Sequence, residues 1–136
     1  MAEVEALGGG VRALFPSSVR PFFGSVPAGT TVPWTFVLLS LPSPTERRLD
    51  GRISNRRCVV RVRIAGANDT AVRQLWDMMR PSLEGARPVA AAWQNTRLSQ
   101  LNDDPQVYQD RDITLASGGH PIVAAVDFDF HATEID

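Results

Sequence analysis

Lysine is absent: every one of the 14 basic residues in this 136-residue chain is arginine. A GC-rich coding sequence accounts for that bias. The absence also removes the lysine on which a phosphate-binding loop depends, so Gly8-Gly9-Gly10 reads as a flexible linker and not as a nucleotide cradle. Cysteine is nearly absent as well. Cys58 stands alone, which excludes an internal disulfide, and it falls on the apolar side of an alternating segment, where a small buried thiol is expected. The two histidines, His120 and His131, make no metal-ligand spacing, and no cysteine pair exists, so zinc is not expected. The serines have no base at a recognisable spacing. No catalytic residue, cofactor or metal is therefore assigned. Long apolar runs are missing too: the longest, Val32 to Leu41, falls well short of the ~20 residues of a membrane helix. Acids at Glu3 and Glu5, where a secretory signal is positive, predict a chain that starts in the cytoplasm.

What is present centres on Arg57 to Gly85. Cys58, Val60, Val62 and Ile64 lie on one side of a strand, with Val59, Arg61 and Arg63 on the other, because successive side chains alternate across the pleat. Asn68 or Asp69 then caps a helix. Val72, Leu75, Trp76, Met79 and Leu83 recur at helical spacing, which predicts an amphipathic helix over 69–84 covering a sheet. Gly85 suits a left-handed terminator, and Pro81 removes one hydrogen bond, so a disturbed last turn is expected. With 43% hydrophobic residues the chain can build one core, and a single domain over 1–136 is expected.

Around that centre the reading is coarser. Residues 1–17 are expected to be flexible or partly helical, since three glycines each cost a helix about 1 kcal/mol. Val19 to Val26 reads as a short edge strand among prolines. Trp34 to Leu41 is apolar on both alternating faces: Trp34, Phe36 and Leu38 on one, Val37, Leu39 and Leu41 on the other. That predicts a strand covered by the core on one side and by another subunit on the other. Residues 43–56, with Asp50-Gly51 at the middle, predict a projecting β-hairpin or loop arm. Arg87 to Trp93 reads as a short strand and Gln94 to Asp104 as irregular. Val107 to Leu115 and Pro121 to Thr133 read as a hairpin about Gly118-Gly119, with Leu115 facing Ile122 and Ile113 facing Ala124.

Charge is segregated. Arg47, Arg48, Arg52, Arg56, Arg57, Arg61 and Arg63 crowd one interval, while the C-terminal third is acidic, and the formal net charge is only -1. Asp127 and Asp129, on the polar side of the last strand, are placed to form cross-strand ion pairs with Arg61 and Arg63. No aromatic residues interleave with the arginines, which speaks against a single-strand stacking platform. The remaining alternatives are a solvated arm, contact with passing DNA, and an acidic surface on a neighbouring copy. The last is preferred because the chain carries both charges and can assemble head to tail.

The order of elements resembles the tail terminator proteins of long-tailed bacteriophages, particularly those of phages infecting high-GC bacteria. The resemblance runs from Val32 to the C-terminus. It rests on Pro33-Trp34-Thr35-Phe36-Val37, the polar arm, the strand Arg57 to Arg63, the run Asp69 to Trp76 with Leu83-Glu84-Gly85, and the closing strand His120 to Phe130. The glycine-rich start departs from the helix that the pattern has there. The resemblance implies an α+β subunit, a mostly antiparallel sheet with helices on one face, in a homohexameric ring. Such a ring caps the head-proximal end of the tail tube, ends tube polymerisation and meets the head-neck connector. Genomic DNA passes through its lumen without sequence recognition, and neither catalysis, cofactor nor membrane is involved. The expected location is the virion tail, with assembly in the host cytoplasm. Transferred to this chain, it makes Arg47, Arg48, Arg52, Arg56 and Arg57 candidates for subunit or tube contacts, and Val37 and Leu39 candidates for an inter-subunit face. The alternatives are another neck or head-completion protein, a nucleic-acid-binding module, and a small enzyme.

Overall fold

A computed structural model describes residues 2–41, 46–47, 49–102, 104–115 and 118–135. In chain order these form α1 (Ala2–Arg12), β1 (Phe22–Phe23), β2 (Trp34–Ser40), β3 (Glu46–Arg47), β4 (Ile53–Gly66), α2 (Asp69–Leu83), β5 (Trp93–Asn95), β6 (Ser99–Gln100), β7 (Gln106–Gln109) and β8 (Ile122–Glu134). The class is α+β, with a curled, mostly antiparallel sheet and two helices.

The alternation of β4 decides the architecture. Cys58, Val60, Val62 and Ile64 are buried, and β8 runs antiparallel beside them, placing Phe130, Phe128, Val126 and Ala124 directly opposite. On the other side of β4, β2 sets Val37 opposite Val62 and Leu39 opposite Val60. One sheet face is thus a continuous apolar floor, and α2 lies on it through Val72, Trp76, Met79 and Leu83. The Trp76 and Phe128 rings sit 6.1 Å apart. Asn68 caps the helix by accepting from the Ala71 amide at 2.8 Å. The helix runs through Pro81, whose ring is exposed, and the left-handed Gly85 (φ +69°) turns the chain away beyond the cap at Glu84.

Three expectations are corrected, and a first one, that residues 1–17 are flexible or partly helical, is made definite. The glycine-rich start forms a regular helix over Ala2–Arg12, with Leu7 and Val11 fully buried in the same core. Burial of these side chains offsets the cost of the glycines, and Gly10 is required by contact: a Cβ there would stand 2.6 Å from the Val89 carbonyl oxygen. There are consequently two helices on the covered face, α1 meeting Leu39 of β2 at Gly8. Second, the projecting arm expected over 43–56 is not found as such: residues 42–45 and 48 lie outside the described residues, and the rest is divided between a short pairing and a long strand. Residues from Ile53 onward belong to β4, and Ile53 is buried. Beyond it, β3 pairs with β4 through a bulge, Arg47 opposite Ile53 and Glu46 opposite Asn55, and Gly51 takes the positive φ that the Asp50-Gly51 turn demands.

Third, the last hairpin has a different register. Val107, not Ile113, faces Ala124, and Gln109, not Leu115, faces Ile122, so the chain beyond Gln109 leaves the sheet as a long loop. The Gly118-Gly119 turn closes within that loop: the Leu115 amide donates to the Gly119 carbonyl at 2.7 Å and the Gly118 amide to the Leu115 carbonyl at 2.8 Å. Fourth, the strand expected over Arg87 to Trp93 begins only at Trp93, and the region expected to be irregular contributes β6. Three short strands, β5, β6 and β7, therefore pair in turn with β8. Asn102 spans the gap between two of them, accepting from the Asp127 amide at 3.0 Å and donating to the Ala125 carbonyl at 3.1 Å.

Candidate functional site

Among the described residues no helix lies on the opposite face of the sheet, and its chemistry is set by the other half of each alternation. From β4 it receives Arg57, Val59, Arg61, Arg63 and Ala65, and from β8 Val123, Ala125, Asp127, Asp129 and His131. From β2 come Trp34, Phe36 and Leu38. Two zones result.

The first zone is an ion-pair ladder. Arg61 and Asp127 are direct cross-strand partners at 4.0 Å, and Arg63 reaches the same carboxylate diagonally at 2.8 Å. Asp129 pairs with Arg57 at 3.0 Å, not with Arg61 or Arg63. The side chains are partly exposed, so each pair contributes about 0.2–1 kcal/mol. Further along, His131 Nδ1 lies 2.9 Å from Asn55 Oδ1, and the Thr96 hydroxyl accepts from the His131 amide.

The second zone is a groove of about 840 Å³ at the far end of the same face. Its floor is Trp34, Phe36, Arg63, Tyr108 and Val123. One wall is the loop 25–32, shaped by a turn in which the Thr30 amide and hydroxyl both donate to the Pro27 carbonyl and Gly29 adopts φ +80°. The Val32–Pro33 peptide bond, where this loop enters β2, is cis. The other wall is 110–115, held by Asp110, which accepts from the Asp112 amide at 3.0 Å, and by His120 Nδ1, which donates to the Ile113 carbonyl at 2.8 Å. Ile113 and Leu115 give this wall its apolar lining, and Asp110 and Asp112 its negative charge. The loop that the hairpin reading placed in the sheet is thus a wall of this groove. Its signal in the sequence was the alternation of acids with Ile113 and Leu115, which also fits a strand.

The other expected site residues are dispersed. Val37 and Leu39 are corrected: they point into the core beneath the helices, Val37 with no exposure, so the face of β2 open to a partner is that of Trp34, Phe36 and Leu38. Both faces of that strand are apolar, and periodicity does not say which one the helices take. Arg56 lies in β4 opposite Ala132, on the covered side, and donates to the Leu41 carbonyl at 3.2 Å. Arg52 is exposed in the arm, 3.9 Å from Asp50. Arg47 is placed by its pairing with Ile53, and Arg48 lies outside the described residues. Cys58 is buried. Among the described residues, no three His, Cys, Asp or Glu side chains gather as metal ligands, and no helix is long and apolar enough to cross a membrane.

Set against known proteins, the chain matches no family model, and no curated protein sequence matches it significantly.

Proposed function

We propose that this protein is a structural virion component of the tail-terminator type. Its copies form a ring on the head-proximal end of a long phage tail tube, end the growth of the tube and join it to the head-neck connector. The observation that carries the reading is the one-sided covering of the sheet. Helices close one face, while the other presents Trp34, Phe36 and Leu38, the last 43% exposed, beside a charged ladder. A surface that is part apolar and part charged suits a second protein surface. Arg57, Arg61 and Arg63 already face aspartates, which fits protein contact better than capture of phosphate. DNA then passes the ring without being read.

The test is native mass measurement of the purified chain followed by electron microscopy with tail tubes. Closed oligomers seated at one end of the tubes are expected, and a chain that stays off the tube ends overturns the reading. Glutamate at Arg47, Arg48 and Arg52 together should impair joining while leaving the melting transition in place. The groove supports a second reading, a binder of a small and largely apolar molecule. A small molecule retained through purification and seen in the native mass would favour it.

A further inference from the structure

The arm and the groove occupy opposite ends of the sheet. The arm leaves from the start of β4, where Arg47 pairs with Ile53, and the groove lies over Arg63 near the end of that strand. From Ile53 to Arg63 the strand rises about 3.3 Å per residue, roughly 33 Å in all, so the Asp50-Gly51 turn of a given chain does not reach its own groove. At the tip, next to the Asp50-Gly51 turn, stands Leu49, the most exposed large apolar side chain among the described residues at 110%. Leu49 stands entirely in solvent, and three residues on, Arg52, 3.9 Å from Asp50 and half exposed, adds a cation; the pair is complementary to a groove with an aromatic floor and an acidic wall.

We propose that the arm of one copy docks in the groove of the next. Leu49 seats against Trp34 and Phe36, and Arg52 approaches Asp110 and Asp112. This rests on the ring reading above and gives it a specific joint. Donor and acceptor are different surfaces at opposite ends of one subunit, so the contact is heterologous: it propagates head to tail and closes when the rotation per copy divides a full turn. Leu49 serves as the anchor that leaves water, and Arg52 sets the orientation at the rim.

Two measurements test the joint. In the first, Leu49→Cys chains are mixed with Thr114→Cys chains under oxidised glutathione, Cys58 being buried and left in place. Disulfide-linked heterodimers in excess of either homodimer are expected. In the second, native mass and sedimentation compare the wild type with Leu49→Asp, whose fold is checked by its melting transition. Association should weaken about tenfold or more, as for loss of an interface anchor. Arg52→Asp and Asp112→Arg should each weaken it, and the two together should restore it.

Wild-type oligomers that Leu49→Asp leaves unchanged, with no cross-link, overturn the joint while the ring survives. A wild type that stays monomeric at its highest soluble concentration, together with cysteine variants that form no cross-link, also overturns it. Cross-linked chains that never seat on tube ends keep the joint and remove the tail role.

Discussion

The two faces of the sheet are made by the same three strands, yet they do different work. Toward the helices, β4 and β8 present Cys58, Val60, Val62, Ile64, Ala124, Val126, Phe128 and Phe130, all essentially without exposure. On the reverse, arginines, aspartates and a margin of aromatics, most of them partly exposed, alternate with the small buried side chains of Val59, Ala65, Val123 and Ala125. A strand has one side chain per residue and no way to keep both faces dry unless both are covered. The difference teaches that large apolar side chains are buried mainly on one side of a single sheet and charges are displayed on the other, so substitutions on one face should be readable without disturbing the other.

The widest separation is expected at two phenylalanines. Phe128→Ala, beneath Trp76 in the covered layer, should cost about 3–5 kcal/mol in denaturant unfolding, whereas Phe36→Ala on the open face should cost well under half of that. Equal losses would mean that the open face is part of the fold and not a free surface. Next come two glycines of α1. Gly10→Ala meets a backbone carbonyl and should destabilise by about 1–3 kcal/mol, while Gly9→Ala meets nothing and should stabilise by up to about 1 kcal/mol. Opposite signs in thermal melting would separate a packing glycine from a permissive one. Asn68→Ala removes the cap of α2, and about 1 kcal/mol of stability should go with it. The smallest effect belongs to the ladder. Asp127→Asn takes a carboxylate from both Arg61 and Arg63 and should cost about 1 kcal/mol or less, shrinking as salt is added. A salt-independent loss would place the pair in a drier environment than its exposure indicates.

What could be read beforehand follows from where local pattern and tertiary contact agree. Helix α2 was expected over 69–84 and is found over Asp69–Leu83, because a cap, an apolar stripe and a terminating glycine point the same way. Arg61 opposite Asp127 follows from alternation on two long strands. Helix α1 is legible in sequence only as a flexible or partly helical segment, since Gly10, which weakens it locally, is the residue that permits its approach to Val89, a contact with a segment distant in sequence. The groove was hidden for a related reason. Asp110 to Leu115 alternates like a strand, and its departure from the sheet goes with tertiary and turn hydrogen bonds: His120 to the Ile113 carbonyl, the Asp112 amide to Asp110, and Leu115 with the Gly118-Gly119 turn. The Asp50-Gly51 turn could be seen in sequence and the groove could not.

The segmented margin of β8 carries a last consequence. A long, continuous strand there would be an invitation to edge-to-edge aggregation, and three short pieces interrupted by the Asn102 side chain decline it. Each piece can fray and re-form by itself, so amide exchange along 93–109 should proceed in separate steps while β8 stays protected.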